Sequence, residues 1–121
     1  MSERDPRLYL NEIIEACNKV SGYIQSLDEG TFLQDELYQD AVVRNVEIIG
    51  EASAKLPSEL RARYSDVPWK QMIGFRNIAI HAYFAVDFTI VWEIAHNSLP
   101  ELTPQIQQIL EDQGGLPLTV E

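Results

Sequence analysis

The sequence is short of three things: cysteine, long apolar runs and positive charge towards its C-terminal end. A single cysteine, Cys17, cannot form an internal disulfide, and no apolar run approaches the ~18 residues of a membrane span. The opening residues Met-Ser-Glu-Arg-Asp lack the apolar segment of a secretion signal. We therefore expect a cytoplasmic protein without a membrane segment, in which Cys17 is a small buried residue.

The charge is strongly negative but unevenly distributed. The formal net charge is -10, and residues 77–121 contain six acidic residues and no lysine or arginine. Residues 44–76 carry six basic and four acidic groups, so this middle third is mildly basic. Because phosphate contacts normally supply much of the affinity for nucleic acid, this balance excludes a broad nucleic-acid surface. It permits RNA at one locus, and it suits a partner with a basic face equally well.

Apolar residues recur at steps of three and four along most of the chain, and no segment alternates with period two. This pattern predicts an all-α fold, and 121 residues are enough for one domain, residues 1–121, with a flexible tail at 116–121. Capping residues and helix breakers predict where the helices begin: Asp5-Pro6, a capping box at Thr31 and Gln34, about Glu36, Ser58, Pro68, Asp87, and a second capping box at Ser98 and Glu101. Pro104 requires the last helix to restart at Thr103. His96 lies near the end of the preceding predicted helix, where the helix dipole favours a cationic imidazole.

The chemistry is concentrated in residues 74–84. On a helix, one apolar stripe forms at i, i+3, i+4 and i+7, while the polar residues Arg76, Asn77 and His81 fall on the other side. Ile80 projects between the polar residues, which suggests a surface that another subunit covers. Gly74 loosens the chain just before Arg76 and gives the following helix its own direction. The stripe consists of Phe75, Ile78, Ala79 and Ala82.

Arginine and histidine together suit RNA cleavage without a metal ion. An imidazole with a pKa near 6.5 can take a proton from a ribose 2′-hydroxyl or give one to the leaving oxygen, while a guanidinium stabilises the charge on the phosphate. The alternative is structural, because a single arginine and a single histidine on a helix face are usually a solvated arginine and a histidine with satisfied hydrogen bonds.

The preceding long helix carries charged residues at helical spacing. Arg44, Glu47, Glu51 and Lys55 share one face, which indicates a solvated, salt-bridged surface more than a catalytic one. Arg44 is the candidate for a secondary RNA or interface contact. Gly50, in the same helix, lets another helix approach closely.

The pattern Arg76, four residues, His81, one residue, Tyr83 resembles the Arg-x4-His-x-Tyr motif of the HEPN superfamily. Within that superfamily, residues 7–112 resemble HepT-like toxin ribonucleases. The likeness extends to Arg-Asn-Val-Glu-Ile-Ile-Gly-Glu-Ala at 44–52, to Val67-Pro68-Trp69 and to Leu-Pro-Glu-Leu at 99–102. The resemblance implies an up-and-down bundle of about five to six helices that forms a homodimer, with two copies of the motif lining one cleft.

The resemblance also implies an activity and residue roles. The activity is metal-independent endoribonuclease action, in which His81 transfers the proton, Arg76 binds the scissile phosphate, and Asn77 orients His81 or the phosphate. The implied partner is a minimal nucleotidyltransferase antitoxin of the MntA type. The implied assembly is a homodimer of this chain, or a higher hetero-oligomer that includes the partner. In a type VII-like toxin–antitoxin system this partner moves AMP onto Tyr83. ATP and magnesium then belong to the partner, and no cofactor is expected in the chain itself.

Three interpretations stay open from the sequence. The chain is either a ribonuclease or a non-catalytic HEPN module that binds nucleotide or docks onto and regulates a nucleotidyltransferase; a purely structural dimeric bundle is a third reading. The geometry is open as well, because Arg76 and His81 lie roughly 140° apart on a straight helix. Either the helix is irregular near Gly74 and Tyr83, or the two groups act across a dimer.

Overall fold

The protein is α-helical throughout the part described by its computed structural model, which covers residues 4–85 and 87–116, with side chains left undescribed for 79–85. Within these ranges there is no β-strand, so the predicted all-α fold class is confirmed. None of the described helices is both long enough and apolar enough to cross a bilayer. The helices are α1 (Pro6–Ile24), α2 (Glu29–Phe32), α3 (Glu36–Lys55), α4 (Ser58–Arg63), α5 (Trp69–Ala85), α6 (Phe88–Glu93) and α7 (Leu99–Asp112), with a π-helical segment (Ile94–Ser98) joining α6 to α7.

Helix α1 begins as the sequence predicts. The Asp5 side chain accepts a hydrogen bond from the Arg7 backbone N–H, and Pro6 occupies the first helical position, where its missing N–H costs nothing. One stripe of α1 is buried and includes Cys17, and burial raises the pKa of this thiol. The prediction of a buried Cys17 is therefore confirmed.

Helix α3 is the central element of the fold. Asp35 caps its N-terminus by accepting hydrogen bonds from the backbone N–H groups of Leu37 and Tyr38. The helix packs against α1 on one side and against α5 on the other. Its buried residues recur at three- and four-residue steps, as the sequence predicts. Burying α3 between two helices fixes where α5 lies.

The buried apolar residues form one cluster, to which α1, α3, α5 and α7 all contribute. Its largest fully buried side chains include Phe32, Leu10, Ile49, Met72 and Ile106. Phe32 packs edge-on against Phe88 and contacts the ring of Trp92 at a centroid distance of 5.4 Å. The short helix α2 is therefore held to α6 by aromatic packing.

The capping box predicted at Thr31 and Gln34 is wrong. Helix α2 begins earlier, at Glu29, and Asp28 is its cap, accepting a hydrogen bond of 2.8 Å from the Thr31 N–H. Asp28 outcompetes Thr31 because its carboxylate is a stronger acceptor at a helix N-terminus. Gln39 of α3 then donates a hydrogen bond to the Phe32 carbonyl and closes the connection.

The second capping box, at Ser98 and Glu101, is also wrong. Ser98 has helical dihedral angles and makes no side-chain cap, because α6, the π-helical segment and α7 form one continuous helical run. Pro104 lies inside α7 without a restart at Thr103, whose hydroxyl donates to the Leu99 carbonyl at 2.8 Å. A π-helical segment lengthens one turn of a continuing helix, and sequence periodicity does not reveal such a local insertion.

Helix α7 ends where glycine permits it. Gly114 has a φ of +98°, and the Gly115 N–H donates to the Leu110 carbonyl at 2.8 Å, which is the pattern of a Schellman cap. Arg7 reaches across to the Gly115 carbonyl and so links the two ends of the fold. The tail predicted at 116–121 lies outside the described residues except for the exposed Leu116.

Candidate active site on helix α5

The start of α5 is anchored in the core. The indole N–H of Trp69 donates a hydrogen bond of 3.0 Å to the Tyr64 carbonyl, and Pro68 precedes the first turn, as the sequence predicts. Trp69, Met72 and Phe75 follow at three-residue intervals and are all buried. Their spacing places one face of α5 against α3. Residues on the opposite face of this helix therefore lie on its outer side.

Helix α5 continues through Gly74 without a break. The prediction that Gly74 gives the motif helix a separate direction is therefore wrong, since one helix spans Trp69–Ala85. Met72 and Phe75 hold the backbone on both sides of the glycine in the core, which offsets the intrinsic helix penalty of about 1 kcal/mol for glycine.

Arg76 and Asn77 are exposed, which confirms that this polar pair lies away from the core. Among the described residues, no carboxylate lies within ion-pair distance of the Arg76 guanidinium. Arg44 differs, because it contacts the carboxylate of Glu47 at 3.3 Å while its side chain is 67% exposed. Within the described part of the chain, Arg76 is thus the more available cation for a phosphate.

Ile80, His81 and Tyr83 belong to the same continuous helix. Their backbones follow Arg76 within α5, but their side chains lie outside the described residues. Five residues of a regular helix correspond to a rotation of about 500°, so positions 76 and 81 lie about 140° apart around the helix axis. Their roles and contacts stay predictions.

Arg76 is also the residue of α5 that lies against Gly50 of α3, and this is the closest contact at any glycine of the described chain. A Cβ atom placed on Gly50 would lie 2.5 Å from the Arg76 backbone nitrogen. The prediction that Gly50 lets another helix approach closely is therefore confirmed. The partner helix is the one that carries the motif.

The charged face predicted on α3 is only partly a salt-bridged surface. Arg44 pairs with Glu47, whereas Glu51 and Lys55 line a small groove against α1 together with Glu15. The exposed Arg44 is compatible with the predicted secondary contact, but no described contact tests that role.

A cleft of about 650 Å³ borders α5. Its lining includes Phe75 and Ile78 from α5 and the exposed Ile90 from α6, with Glu29 and Glu93 as its charged residues. Sequence reasoning missed this cleft because four separate segments form it. No periodicity within one helix reports a gap between helices.

His96 is explained by stacking, and the prediction from the helix dipole is wrong. The π-helical segment continues into α7, so His96 does not lie at a helix C-terminus. Its ring stacks on Trp92 with the centroids 5.1 Å apart and an interplanar angle of 16°. Among the described side chains, no three His, Cys, Asp or Glu residues come together as metal ligands would.

Helix α6 begins at a cap formed by Asp87. Asp87 accepts hydrogen bonds from the hydroxyl and the backbone N–H of Thr89 and so starts α6, as predicted. The hydrogen bond from the Thr89 hydroxyl has the larger effect and the one from its backbone N–H the smaller, and together they hold the pKa of Asp87 below its ordinary value.

The described part of the chain is α-helical, and helix α5 exposes the pair Arg76-Asn77, so the protein belongs to the class of helical proteins with a candidate anion site. Comparison with known proteins identifies its family. The model described as "Ribonuclease HepT-like" matches residues 13–109, and the chain belongs to this HepT-like ribonuclease family.

The relatives carry ribonuclease names. A protein of Methanocaldococcus jannaschii named "Putative RNase" is 36% identical over 107 residues, which cover 88% of this chain and 98% of that protein. A "Putative RNase" of Caldanaerobacter subterraneus subsp. tengcongensis is 38% identical over 110 residues, covering 91% of this chain and 98% of its own. "Probable ribonuclease HepT" of Thermococcus cleftensis is 33% identical over 107 residues, covering 88% and 97% respectively. No solved structure matches the chain.

Proposed function

We propose that the protein is an endoribonuclease that cleaves RNA without a metal ion and acts as the toxin of a type VII-like toxin–antitoxin system. The observation that carries this proposal is the exposed Arg76 on a continuous helix that also contains His81, in a chain of the HepT-like ribonuclease family. Arg76 binds the scissile phosphate, His81 transfers protons, and Asn77 orients His81 or the phosphate.

The reaction needs one proton removed and one supplied. The ribose 2′-oxygen attacks phosphorus as a neutral imidazole takes its proton, and the bond from phosphorus to the 5′-oxygen breaks as a protonated imidazole gives that oxygen a proton. The products are a 2′,3′-cyclic phosphate and a 5′-hydroxyl. Two copies of His81 in one cleft supply the neutral and the protonated imidazole.

A dimer resolves the geometry of the motif. Because α5 continues through Gly74, a break beside that glycine is not available to bring Arg76 and His81 together. The separation of about 140° on one helix favours groups that act across two subunits. Ile80, which projects between them, then lies in the subunit interface, and Arg44 makes a secondary contact with RNA or with the partner subunit.

Tyr83 is the proposed site of neutralisation. A cognate nucleotidyltransferase of the MntA type, using ATP and magnesium, transfers AMP to its hydroxyl and releases pyrophosphate. The added phosphodiester places a negative charge and considerable bulk on the motif helix, which blocks the phosphate subsite and repels RNA.

A second function is favoured by the charge. With a net charge of -10 and no lysine or arginine after Arg76, the chain suits a non-catalytic module that docks onto a basic face of a nucleotidyltransferase. This alternative requires neither His81 nor Arg76 to touch RNA.

Expression in cells separates the two functions. Induced wild-type protein should arrest growth and deplete RNA, whereas His81→Ala and Arg76→Ala at equal soluble amounts should do neither. Equal behaviour of all three proteins favours the docking module. Co-expression with a cognate nucleotidyltransferase of the MntA type should add AMP to the wild type, measured by intact mass, and Tyr83→Phe should lack that addition.

A further inference from the structure

Helix α3 approaches α5 closely at a residue of the proposed site. Gly50 is buried, and a Cβ atom there would lie 2.5 Å from the backbone nitrogen of Arg76, 3.0 Å from its Cβ and 3.1 Å from its Cα. All three nearest atoms belong to Arg76, and two of them are backbone atoms, so a flexible side chain cannot move aside to make room.

The other helical glycines with open surroundings show that this contact is particular. A Cβ atom added to Gly74 in α5 or to Gly22 in α1 would meet no atom within 4 Å beyond the nearby backbone of its own helix. Glycine is disfavoured in a helix interior, so a buried glycine against a neighbouring backbone has a packing reason. At Gly50 that reason is the approach of Arg76.

We infer that Gly50 is a positioning residue for Arg76, because it sets how far α5 stands from α3 at the residue that binds the phosphate. This inference rests on the proposed function. Restoring an ordinary contact distance to an alanine Cβ at position 50 requires the Arg76 backbone to move by about 1 Å. A displacement of this size at a charged group lowers reaction rates by about 10- to 100-fold.

The first test measures cleavage of a short RNA by the full-length protein. Gly50→Ala should lower kcat/KM by about 10- to 100-fold, while Gly74→Ala and Gly22→Ala should stay within about twofold of wild type. The same substitutions are then each combined with His81→Ala, because this variant should bind RNA without cleaving it and so allows RNA binding to be measured. Gly50→Ala should weaken RNA binding and reduce its salt dependence as Arg76→Ala does, by roughly one unit of slope.

A double-mutant comparison separates positioning from general packing. If Gly50 acts through Arg76, adding Gly50→Ala to Arg76→Ala should change RNA affinity by less than about twofold. An equal further loss in both backgrounds, or no loss in either, would overturn the inference. All proteins are measured in trimethylamine N-oxide, which strengthens the burial of apolar surface. A Gly50→Ala protein that stays unfolded there would also overturn it, because the contact would then serve the whole fold.

An NMR measurement separates failure of this inference from failure of the proposed function. The Arg76 Nε–H signal, assigned by its loss in Arg76→Lys, should shift in Gly50→Ala and stay in place in Gly74→Ala. An unmoved signal in Gly50→Ala contradicts the positioning role whether or not RNA is cleaved. A shifted signal in a protein whose wild type neither binds nor cleaves RNA rejects the ribonuclease and leaves the contact between Gly50 and Arg76 intact.

Discussion

Helices α1 and α5 are similar in length, 19 and 17 residues, but they use their apolar residues differently. Helix α1 buries one stripe between α3 on one side and α7 with the π-helical segment on the other. Helix α5 packs on α3 and borders the open cleft, and Ile73 and Ile78 beside its buried face are only half-buried. Because α5 is apolar beyond the face that its own chain covers, a second molecule can cover the remaining apolar residues.

The largest effect that tests this contrast is on stability. Ile13 is fully buried in α1, so Ile13→Ala should lower the free energy of unfolding by about 2–5 kcal/mol. Ile78→Ala in α5 should cost less, about 1–2 kcal/mol, because part of that side chain already contacts water. Urea unfolding at one fixed protein concentration measures both. Equal costs would mean that the two helices are buried alike.

The second prediction concerns what covers α5. Ile80→Asp should weaken self-association by at least about tenfold, because a buried unpaired carboxylate opposes the proposed dimer contact. Leu37→Asp is the control, since Leu37 is an apolar residue that is 76% exposed at the start of α3. Sedimentation equilibrium measures the dimer dissociation constant. A dimer unaffected by Ile80→Asp, or a wild type that is monomeric, contradicts the proposed interface.

The third prediction sharpens the comparison within α5 itself. Gly74→Ala should raise the free energy of unfolding by about 0.4–1 kcal/mol, since Gly74 is helical and has open space around it. Gly50→Ala should lower it, because the new methyl group meets the Arg76 backbone. Thermal unfolding followed by circular dichroism distinguishes the two directions. Destabilisation by Gly74→Ala would show that α5 needs a flexible residue there.

The smallest effect is expected at the start of α6, where Asp87 is the cap. Hydrogen bonds from Thr89 lower the folded-state pKa of this carboxyl, so its contribution to stability is present above its unfolded pKa near 3.9 and is lost as the pH falls through the lower folded value. Asp87→Asn should therefore flatten the fall in Tm slightly below pH 4. Asp40→Asn, at an exposed position of α3, is the control. Parallel curves for Asp87→Asn and wild type would contradict the role of this cap.

The same contrast explains how much the sequence could predict. The stripe of α1, the caps at Asp5 and Asp87 and the close approach at Gly50 follow from local spacing, and the structure confirms them. The capping boxes at Thr31 and Ser98 failed because a stronger acceptor, Asp28, and a continuous π-helical segment override local signals. The cleft beside α5 was not predictable, since its lining comes together only when four segments fold.

The candidate site divides in the same way. The exposure of Arg76 and Asn77 follows from helical periodicity and is confirmed. The proposed convergence of Arg76 with His81 requires a second subunit, and no pattern within one chain specifies the distance between groups on two molecules. That convergence is the step on which the proposed chemistry depends.

The most direct test is cleavage of RNA by the purified protein in excess EDTA. Wild-type protein should cut a single-stranded RNA and leave a 2′,3′-cyclic phosphate, and His81→Ala should cut it about 10²- to 10⁴-fold more slowly. Arg76→Ala should be similarly impaired, whereas Arg63→Ala, an exposed arginine on α4, should not. Cleavage that EDTA abolishes, or that survives unchanged in His81→Ala, would contradict a metal-independent ribonuclease built on helix α5.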